Sequence, residues 1–364
     1  MSARRPDPDE VFMRRTLTLA RRGLGRVSPN PMVGCVLVKD GRIVAEGWHR
    51  RFGGPHAECD ALSRAGARAR GATVFVNLEP CCHHGKTPPC TDALIAAGVR
   101  RVVTAMRDPD PRVAGKGLAA LRRAGIRVSL GPMAEEARGL NRAFVTWQTR
   151  GRPYVVLKAA ASLDGRIETS RRQSKWISSP ETRREFRVMR SRWDGILAGI
   201  GTVLADDPRL TAARGGRNPV RIILDSRLRI PRRAKLLRMP GRVLLVTAAR
   251  ADRGLSAPPK VRVLRVPRGK GGLSLPAALR ALAAAGISSL LVEGGSAVHT
   301  SFLEAGLVDE VLLILSPRLV GGAAARSFYE GRGAPFLKAA PLLARIAVRR
   351  LGPDIVISGM VETR

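Results

Sequence analysis

The chain has 364 residues, which is too long for one ordinary domain and predicts two cores of about 100–200 residues each. No stretch approaches the roughly 20 apolar residues of a membrane span, and the acidic start of the chain is unlike a signal peptide, so we expect a cytoplasmic protein without membrane contact. The formal charge of +35 first suggests nucleic acid or phosphorylated small molecules, but the basic residues are spread along the whole chain and aromatic residues make up only 4%, so a nucleic-acid groove is not favoured.

The first 150 residues alternate helical and strand patterns. Helices are predicted over 9–22, 56–69, 91–97, 116–124 and 134–149, and strands over 33–39, 42–48, 73–78, 99–105 and 126–130. Asp40-Gly41 between the first two strands is a hairpin signal. Five strands interleaved with helices predict a compact α/β sandwich over 1–150, ended by the Arg-Gly-Arg-Pro sequence at 150–153.

A second α/β series occupies 151–364. Strands are predicted over 154–161, 195–198, 220–224, 243–247, 261–266, 289–292 and 308–315, and helices near 180–192 and 275–285. The stretch 250–272 is rich in Arg, Pro and Gly, which indicates exposed loops. The pattern therefore predicts a second α/β domain over 151–364.

The five cysteines lie in the first quarter of the chain: Cys35, Cys59, Cys81, Cys82 and Cys90. An odd number of cysteines in a protein without a secretion signal argues against a disulfide framework. Their position indicates metal binding or catalysis in the first domain.

One imidazole and two thiols stand at predicted helix starts, where thiolates are favoured. His56 opens one helix, and Cys81 and Cys90 flank the next turn. Three such ligands leave the fourth tetrahedral position of zinc to a water, whose pKa falls to about 7. Glu58 follows His56 by two residues and is suited to move a proton from that water to a departing amine. The H-x-E and P-C…C pattern predicts a zinc-dependent deaminase.

Two other interpretations of these residues stay open. Cys82 or His83 could complete a closed structural zinc site, although Glu58 would then have no role. The cysteines could also be buried without a metal.

Four motifs resemble the RibD family of riboflavin biosynthesis enzymes: PNPMVG at 29–34, GGPHAE at 53–58, EPCCHHGKTPPC at 79–90, and DPDP at 108–111 followed by VAGKG at 113–117. The resemblance implies a cytidine-deaminase-like α/β/α sandwich in which His56, Cys81 and Cys90 bind Zn²⁺ and Glu58 is the proton shuttle. Asn30 is implied to contact the pyrimidine. His84 and Lys86 either meet the substrate phosphate or lie in a solvated loop, and Cys82 stands where the family has Ser.

Three strand-to-turn motifs mark the second domain, at 157–166, 199–208 and 292–296. Glycines at such turns let backbone amides approach a phosphate beside a helix N-terminus. No G-x-G-x-x-G opens the domain, so the dinucleotide fingerprint of the Rossmann fold is absent. By themselves these turns indicate either an anionic ligand or tight structural turns.

The order of these motifs resembles the C-terminal domain of the RibD family, which implies a dihydrofolate-reductase-like α/β fold and NADPH as cofactor. The implied NADPH contacts are Ala160, Trp176, Thr202, Asp206, Ser226, Gly295, Ser296, Ala297, Val298, His299, Thr300 and Ser301. The implied substrate contacts are Lys158, Ser174, Arg190, Leu210, Arg214 and Glu293. Arg190 suits the substrate phosphate, or lies on a solvated helix face.

The family resemblance implies a bifunctional enzyme: hydrolytic deamination of a phosphorylated pyrimidine, then reduction of its ribosyl group. We also expect a homo-oligomer. Arg171-Arg172 replaces Ser-Gly of the family, and one extra residue precedes Arg214, so both loops depart from the pattern. The alternatives are a nucleic-acid-binding editing deaminase, against which the spacing between Cys81 and Cys90 argues, and a deaminase with an inactive reductase-like half.

Overall fold

The computed structural model describes residues 7–250, 260–269 and 272–362. The chain divides into two compact units, Met1–Gly151 and Arg152–Arg364. None of the helices in these described ranges has the length and hydrophobicity that crossing a bilayer requires.

The first unit contains a mixed sheet of five strands in the order β2-β1-β3-β4-β5. β1 is antiparallel to β2 and β3, whereas β3, β4 and β5 are parallel. Its strands are β1 Gly34–Lys39, β2 Arg42–Trp48, β3 Thr73–Val76, β4 Arg101–Thr104 and β5 Arg127–Leu130. Its helices are α1 Pro8–Ala20, α2 Ala57–Ala65, α3 Cys90–Ala96, α4 Lys116–Arg123, α5 Ala134–Leu140 and α6 Arg142–Arg150.

Alternation along the strands places a separate core on each face of this sheet. Val36 and Phe75 face α1 and α6, where they pack with Met13 and Phe144. Leu37 and its neighbours on the opposite face pack with α2, α3 and α4. The predicted α/β/α sandwich is therefore confirmed, as is the hairpin, in which both Asp40 and Gly41 have positive φ.

The prediction of one helix over 134–149 is wrong, because the structure has two helices there, α5 and α6, which meet at Asn141. Asn141 has φ −101° and ψ 22°, and its buried side chain accepts from Met32 N at 2.7 Å and donates to Met32 O at 3.0 Å. These long-range hydrogen bonds fix the residue outside helical geometry, which a local pattern does not reveal.

The second unit contains a sheet of nine strands in the order β10-β9-β8-β7-β13-β6-β14-β16-β15. Seven of the strands are parallel, and β16 and β15 extend the sheet as an antiparallel hairpin. The strands are β6 Tyr154–Ser162, β7 Gly195–Gly199, β8 Val220–Leu224, β9 Val243–Thr247, β10 Val261–Arg265, β13 Ser289–Val292, β14 Glu310–Ser316, β15 Leu343–Leu351 and β16 Asp354–Val361, with a two-stranded ribbon of β11 Arg268–Gly269 and β12 Gly272–Leu273. The helices are α7 Pro180–Met189, α8 Ile200–Asp206, α9 Lys235–Arg238, α10 Leu275–Ala284 and α11 Ser296–Glu304.

The central parallel strands are buried on both faces, as helices on both sides require. One core joins β6, β7 and β13 to α10 and α11, and the other joins β7, β8 and β9 to α8 and α9. The C-terminal hairpin was not predicted, because β15 reads LARIAVRRL, in which arginines interrupt the alternation of apolar residues. Of the predicted loops in 250–272, residues 251–259 and 270–271 lie outside the described residues.

Candidate active sites

Three side chains from separate elements meet beside the central strand β3 of the first unit. His56 immediately precedes α2, Cys90 is the first residue of α3, and Cys81 follows the end of β3. His56 Nδ1 lies 3.3 Å from Cys90 Sγ and 3.5 Å from Cys81 Sγ. The three possible ligand atoms all lie within 4.8 Å of one another, which suits a single cation.

Glu58 lies in the first turn of α2 and is 3% exposed. Burial raises the pKa of Glu58 to about 7. A hydrogen bond with Cys90 lowers the pKa of Cys81 to about 4, and one with Cys81 raises the pKa of His56 to about 9. The cluster therefore favours a thiolate at Cys81, which is the form that binds a metal ion.

The closed zinc site considered above is not what the described residues form. Cys82 Sγ points instead to Arg112 O, at 3.9 Å, and His83 lines the cavity in front of the cluster. Only His56, Cys81 and Cys90 form a possible metal-binding group of three within the described part of the chain. An imidazole and two thiols fit zinc, with a fourth coordination position left for a small molecule.

The orientation of Asn30 is set by His49, which the sequence did not single out. His49 Nδ1 lies 2.8 Å from Pro55 O, so this nitrogen carries the proton and donates. His49 Nε2 is then an acceptor, and Asn30 Nδ2 donates to it at 3.2 Å. The carbonyl oxygen of the Asn30 amide is therefore left for a ligand in the cavity.

A cavity of about 270 Å³ lies in front of the cluster and is lined by Asn30, His49, His56, Glu58 and Cys81. Its other walls include residues whose roles the sequence did not predict: Phe52, His83, Asp108, Asp110, Arg112, Phe144, Trp147 and Gln148. The DPDP motif at 108–111 could have indicated Asp108 and Asp110, since two acids after a strand are a chemical signal. The aromatic residues on α6 carry no such signal. Lys86 also lines the cavity, with Nζ 4.0 Å from the Phe52 ring centroid, whereas His84 is exposed.

In the second unit, a half-buried cluster of charged side chains forms where β6 and β13 end side by side. Leu157 pairs with Val292, so Lys158 and Glu293 are neighbours. Arg190 donates to Glu293 through Nε at 3.0 Å and Nη2 at 2.6 Å, and through Nη1 to Thr211 O at 3.0 Å. The guanidinium predicted for a substrate phosphate is therefore engaged with Glu293 in this structure.

The charged side chains of this cluster shift one another's pKa values. Burial alone would raise the pKa of Glu293, but the charges of Arg190 and Lys158 outweigh it and lower that pKa to about 2. Burial lowers the pKa of Lys158, and Glu293 opposes this shift. Glu293 is accordingly a carboxylate, and Lys158 releases its proton more easily than an exposed lysine does.

A larger cavity, of about 800 Å³, opens in front of this cluster. It brings together nine of the residues predicted for the reductase: Lys158, Ala160, Ser174, Trp176, Arg190, Thr202, Asp206, Leu210 and Glu293. Lys175, Arg183 and Arg187 also line it but were not predicted. Ser174 Oγ donates to Asp206 Oδ1 at 3.2 Å, and Lys175 Nζ lies 3.3 Å from the same oxygen.

The N-terminus of α11 has the features of a phosphate site. Gly295 precedes the helix, and a Cβ at this position would lie 3.5 Å from Thr202 Oγ1. Ser296 Oγ and His299 Nε2 are buried and have no hydrogen-bond partner in the described structure. Gly295, the N-terminus of the nine-residue helix α11 and the unpartnered hydroxyl of Ser296 together fit the phosphate of a dinucleotide.

The other predicted cofactor and substrate residues lie outside the residues lining this cavity. Val298 packs against Gly199 and Gly294. The hydroxyl of Thr300 donates to Glu330 O, and that of Ser301 donates to Ala297 O. Ser226 is half-buried in the turn after β8, and Ala297 and Arg214 are exposed. Arg172 has φ 64° and donates to Glu168 Oε1 at 2.6 Å, and neither residue is among those that line the cavity.

The fold and the two sites define the class of this protein: a zinc-dependent deaminase of the cytidine deaminase type joined to an NADPH-dependent reductase. The family model of the cytidine and deoxycytidylate deaminase zinc-binding region matches residues 6–106, and that of the RibD C-terminal domain matches 153–357. Both predicted cofactors, zinc and NADPH, are those of these domains.

Several known proteins are similar to this chain over nearly its whole length. The riboflavin biosynthesis protein RibD of Escherichia coli is 44% identical over 96% of this chain and 98% of its own, and that of Bacillus amyloliquefaciens is 41% identical over 97% and 96%. The structure of Acinetobacter baumannii RibD, form 1, superimposes with a TM-score of 0.90 at 37% identity, covering 98% of this chain and 99% of that one. The diaminohydroxyphosphoribosylaminopyrimidine deaminase/5-amino-6-(5-phosphoribosylamino)uracil reductase of Thermotoga maritima does so with a TM-score of 0.85 at 39% identity, covering 98% and 99%.

The chain belongs to the RibD family of bifunctional riboflavin biosynthesis enzymes. The predicted fold class and bifunctional activity are thereby confirmed, and the editing deaminase and the inactive reductase-like half are not favoured.

Proposed function

We propose that residues 1–150 deaminate 2,5-diamino-6-ribosylamino-4(3H)-pyrimidinone 5′-phosphate, and that residues 151–364 reduce the ribosyl group of the resulting 5-amino-6-(5-phosphoribosylamino)uracil to ribityl. The observation that carries this proposal is the group of His56, Cys81 and Cys90 within 4.8 Å, beside the buried Glu58. The name of the similar Thermotoga maritima protein supports the choice of substrates.

For the deaminase we assign His56, Cys81 and Cys90 as the zinc ligands. Zinc bound there supplies an activated water at neutral pH. Glu58 takes the proton of the attacking water and gives it to the amino group that leaves as ammonia. Asn30, held by His49 through its amide nitrogen, presents its carbonyl oxygen to an N–H of the pyrimidine.

For the reductase, NADPH supplies a hydride to the sugar carbon. We assign Thr202, Gly295 and Ser296 to the cofactor phosphates. Lys158 faces the cavity beside Glu293, and its lowered pKa suits a group that gives a proton to the sugar oxygen as the ring opens. Arg190 holds Glu293 in its charged form through two hydrogen bonds.

The remaining predicted contacts stay predictions. They are Ala160, Trp176, Asp206, Ser226, Ala297, Val298, His299, Thr300 and Ser301 for NADPH, and Ser174, Leu210 and Arg214 for the substrate. A small phosphorylated substrate agrees with the family and with the cations that line the second cavity. The cytoplasmic location, the homo-oligomer and the lack of nucleic-acid and membrane partners are likewise still predictions.

The test combines metal analysis with two assays on the purified chain. We expect one zinc per chain, ammonia release from the diaminopyrimidine, and NADPH oxidation that depends on the deaminated product. Full ammonia release by metal-free protein would refute the zinc site. Deamination without any NADPH oxidation would refute the second step.

A further inference from the structure

Glu79, two residues before Cys81, has a buried carboxylate that binds the backbone of a distant segment. Glu79 is 3% exposed. Its Oε2 accepts from Asp108 N at 3.2 Å and from Gly115 N at 2.9 Å, and its Oε1 accepts from Leu118 N at 3.1 Å. A buried carboxylate with charge-assisted hydrogen bonds of this kind strongly restrains the backbone that donates to it.

The three donors belong to the start of α4 and to the segment before it. Gly115 is the residue before the first turn of α4, has φ 89°, and has no side chain with which to cap the helix. The first N–H groups of a helix need an acceptor, and negative charge is favourable at this end. Glu79 therefore caps α4 from another part of the chain.

A second contact joins the same two segments. A Cβ added at Gly117 would lie 2.1 Å from Pro80 O, which is far closer than any side chain tolerates. The start of α4 consequently packs directly against the Glu79-Pro80-Cys81 backbone. This contact explains the glycine at the end of the VAGKG motif, to which neither zinc binding nor proton transfer assigns a role.

The segment held in this way forms a wall of the deaminase cavity. Asp108, Asp110 and Arg112 line the cavity, together with Val113. Asp108 Oδ1 accepts from Asp110 N at 2.8 Å, and Arg112 Nη2 donates to Asp110 Oδ2 at 2.6 Å. The polar groups of the wall are thus bonded to one another, and Glu79 holds the backbone at both ends, at Asp108 and at Gly115.

We infer that Glu79 is a positioning residue that fixes the 108–113 wall of the cavity relative to Cys81 and thereby sets the affinity of the deaminase for its substrate. Glu79 also lines the cavity, but its carboxylate binds the backbone N–H groups of Asp108, Gly115 and Leu118 and takes no part in the proposed proton transfer. Its effect is therefore expected on substrate binding rather than on the chemical step. The inference depends on the proposed deaminase function, because that function supplies the substrate.

The test is Glu79→Gln in the full chain, assayed for ammonia release, zinc content and NADPH oxidation. The amide keeps the shape of the side chain but turns an N–H toward one of the backbone donors. We expect the KM of deamination to rise about tenfold, with kcat within about threefold of the parent and one zinc per chain retained. Gly117→Ala keeps the Glu79 carboxylate but places a methyl group against Pro80 O and against Glu79 Oε1, so it pushes α4 away and should raise KM in the same way.

Glu10→Gln is the matched control, because Glu10 is a half-buried acid on α1 that is paired with Arg14 and does not line the cavity. It should leave KM, kcat and zinc content unchanged. An unchanged KM in Glu79→Gln or in Gly117→Ala would overturn the inference, as would loss of zinc or of kcat alone. If the parent chain itself released no ammonia, the proposed function would fail. That result is distinct from an active parent chain whose variants have the same KM as the parent.

Discussion

Glu58 and Glu79 are both buried carboxylates near the same metal ligands, yet their surroundings give them different tasks. Glu58 lies two residues after His56 and lines the cavity, where burial raises its pKa to about 7. Three backbone N–H groups surround Glu79. Glu79 lines the same cavity, but its carboxylate already accepts three backbone N–H groups, so we expect it to hold the cavity wall rather than to exchange a proton with a ligand.

Glu58→Gln should retain zinc and lose ammonia release by about 10²-fold or more, because the amide cannot accept and return a proton. Metal analysis and an ammonia assay on the same preparation check this. Glu136→Gln, a change at an exposed acid on α5, is the control and should have no effect. Near-normal turnover in Glu58→Gln would eliminate the proton-shuttle role.

His299 makes the stability of the second unit depend on pH. It is 2% exposed, its Nδ1 lies 3.2 Å from Phe328 O, and burial lowers its pKa to about 4. The unfolded chain binds a proton at His299 below pH of about 6.5, whereas the folded chain does so only near pH 4. The free energy of unfolding therefore falls as the pH decreases through this window.

We expect His299 alone to lower the free energy of unfolding by about 2 kcal/mol between pH 7 and pH 5, which corresponds to a decrease of roughly 5 °C in Tm. His299→Asn keeps a donor for Phe328 O and has no titrating ring, so its Tm should fall less over the same range. Differential scanning calorimetry at the two pH values measures the difference. His84→Asn, at an exposed histidine, should follow the parent. Equal pH slopes for His299→Asn and the parent would show that His299 does not contribute.

At the level of helices and strands, two buried asparagines determine where the Asn30 segment lies. Asn77 accepts from Gly34 N at 2.8 Å and donates to Met32 O at 3.0 Å. Asn141, between α5 and α6, bonds both the N–H and the carbonyl of Met32. The break between the two helices therefore joins α6, which carries Trp147, to the segment that carries Asn30.

Asn141→Ala should destabilise the first unit by about 2 kcal/mol, because Met32 N would lose its acceptor and Met32 O would keep only the bond from Asn77. The expected decrease in Tm is roughly 4–8 °C, measured as the temperature at which deaminase activity is lost. Thr149→Ala removes a hydroxyl on α6 that donates to Val145 O at an exposed position, and it should change Tm little. A similar loss for both variants would argue against a special role of Asn141.

For the whole molecule, the division into Met1–Gly151 and Arg152–Arg364 falls between the ranges that the two family models match. Each unit has its own sheet, its own cores and its own cavity. Each is also within the usual size of an independent domain. Part of the charge of +35 has a local explanation, because Lys175, Arg183 and Arg187 line a cavity proposed to bind two phosphorylated molecules.

Cutting the chain between Gly151 and Arg152 should leave both activities in the separated halves. We expect ammonia release by the first half and NADPH oxidation by the second, each assayed with its own substrate at a turnover within about tenfold of the intact chain. Loss of both activities on cleavage would mean that neither unit is stable without the other.

Local sequence was sufficient for most element types and for singling out His56, Cys81 and Cys90, which the structure brings together. Alternating and 3.6-residue apolar patterns are read over a few residues. His56 and Cys90 stand at helix starts as predicted, whereas Cys81 lies in the irregular segment after β3, nine residues before α3. The resemblance to the RibD family supplied the NADPH site and the substrate, which the glycine turns alone indicated only as an anionic ligand.

Only the tertiary structure decided which side chains meet across long separations. Arg190 and Glu293 are 103 residues apart, Asn141 and Met32 are 109 apart, and Glu79 and Leu118 are 39 apart. Each of these polar groups satisfies a buried partner that folding brings to it, and burial rather than local propensity makes such a contact obligatory. A pattern within a window of sequence contains no information about that partner, so the break at Asn141, the engagement of Arg190 and the capping of α4 became visible only in three dimensions.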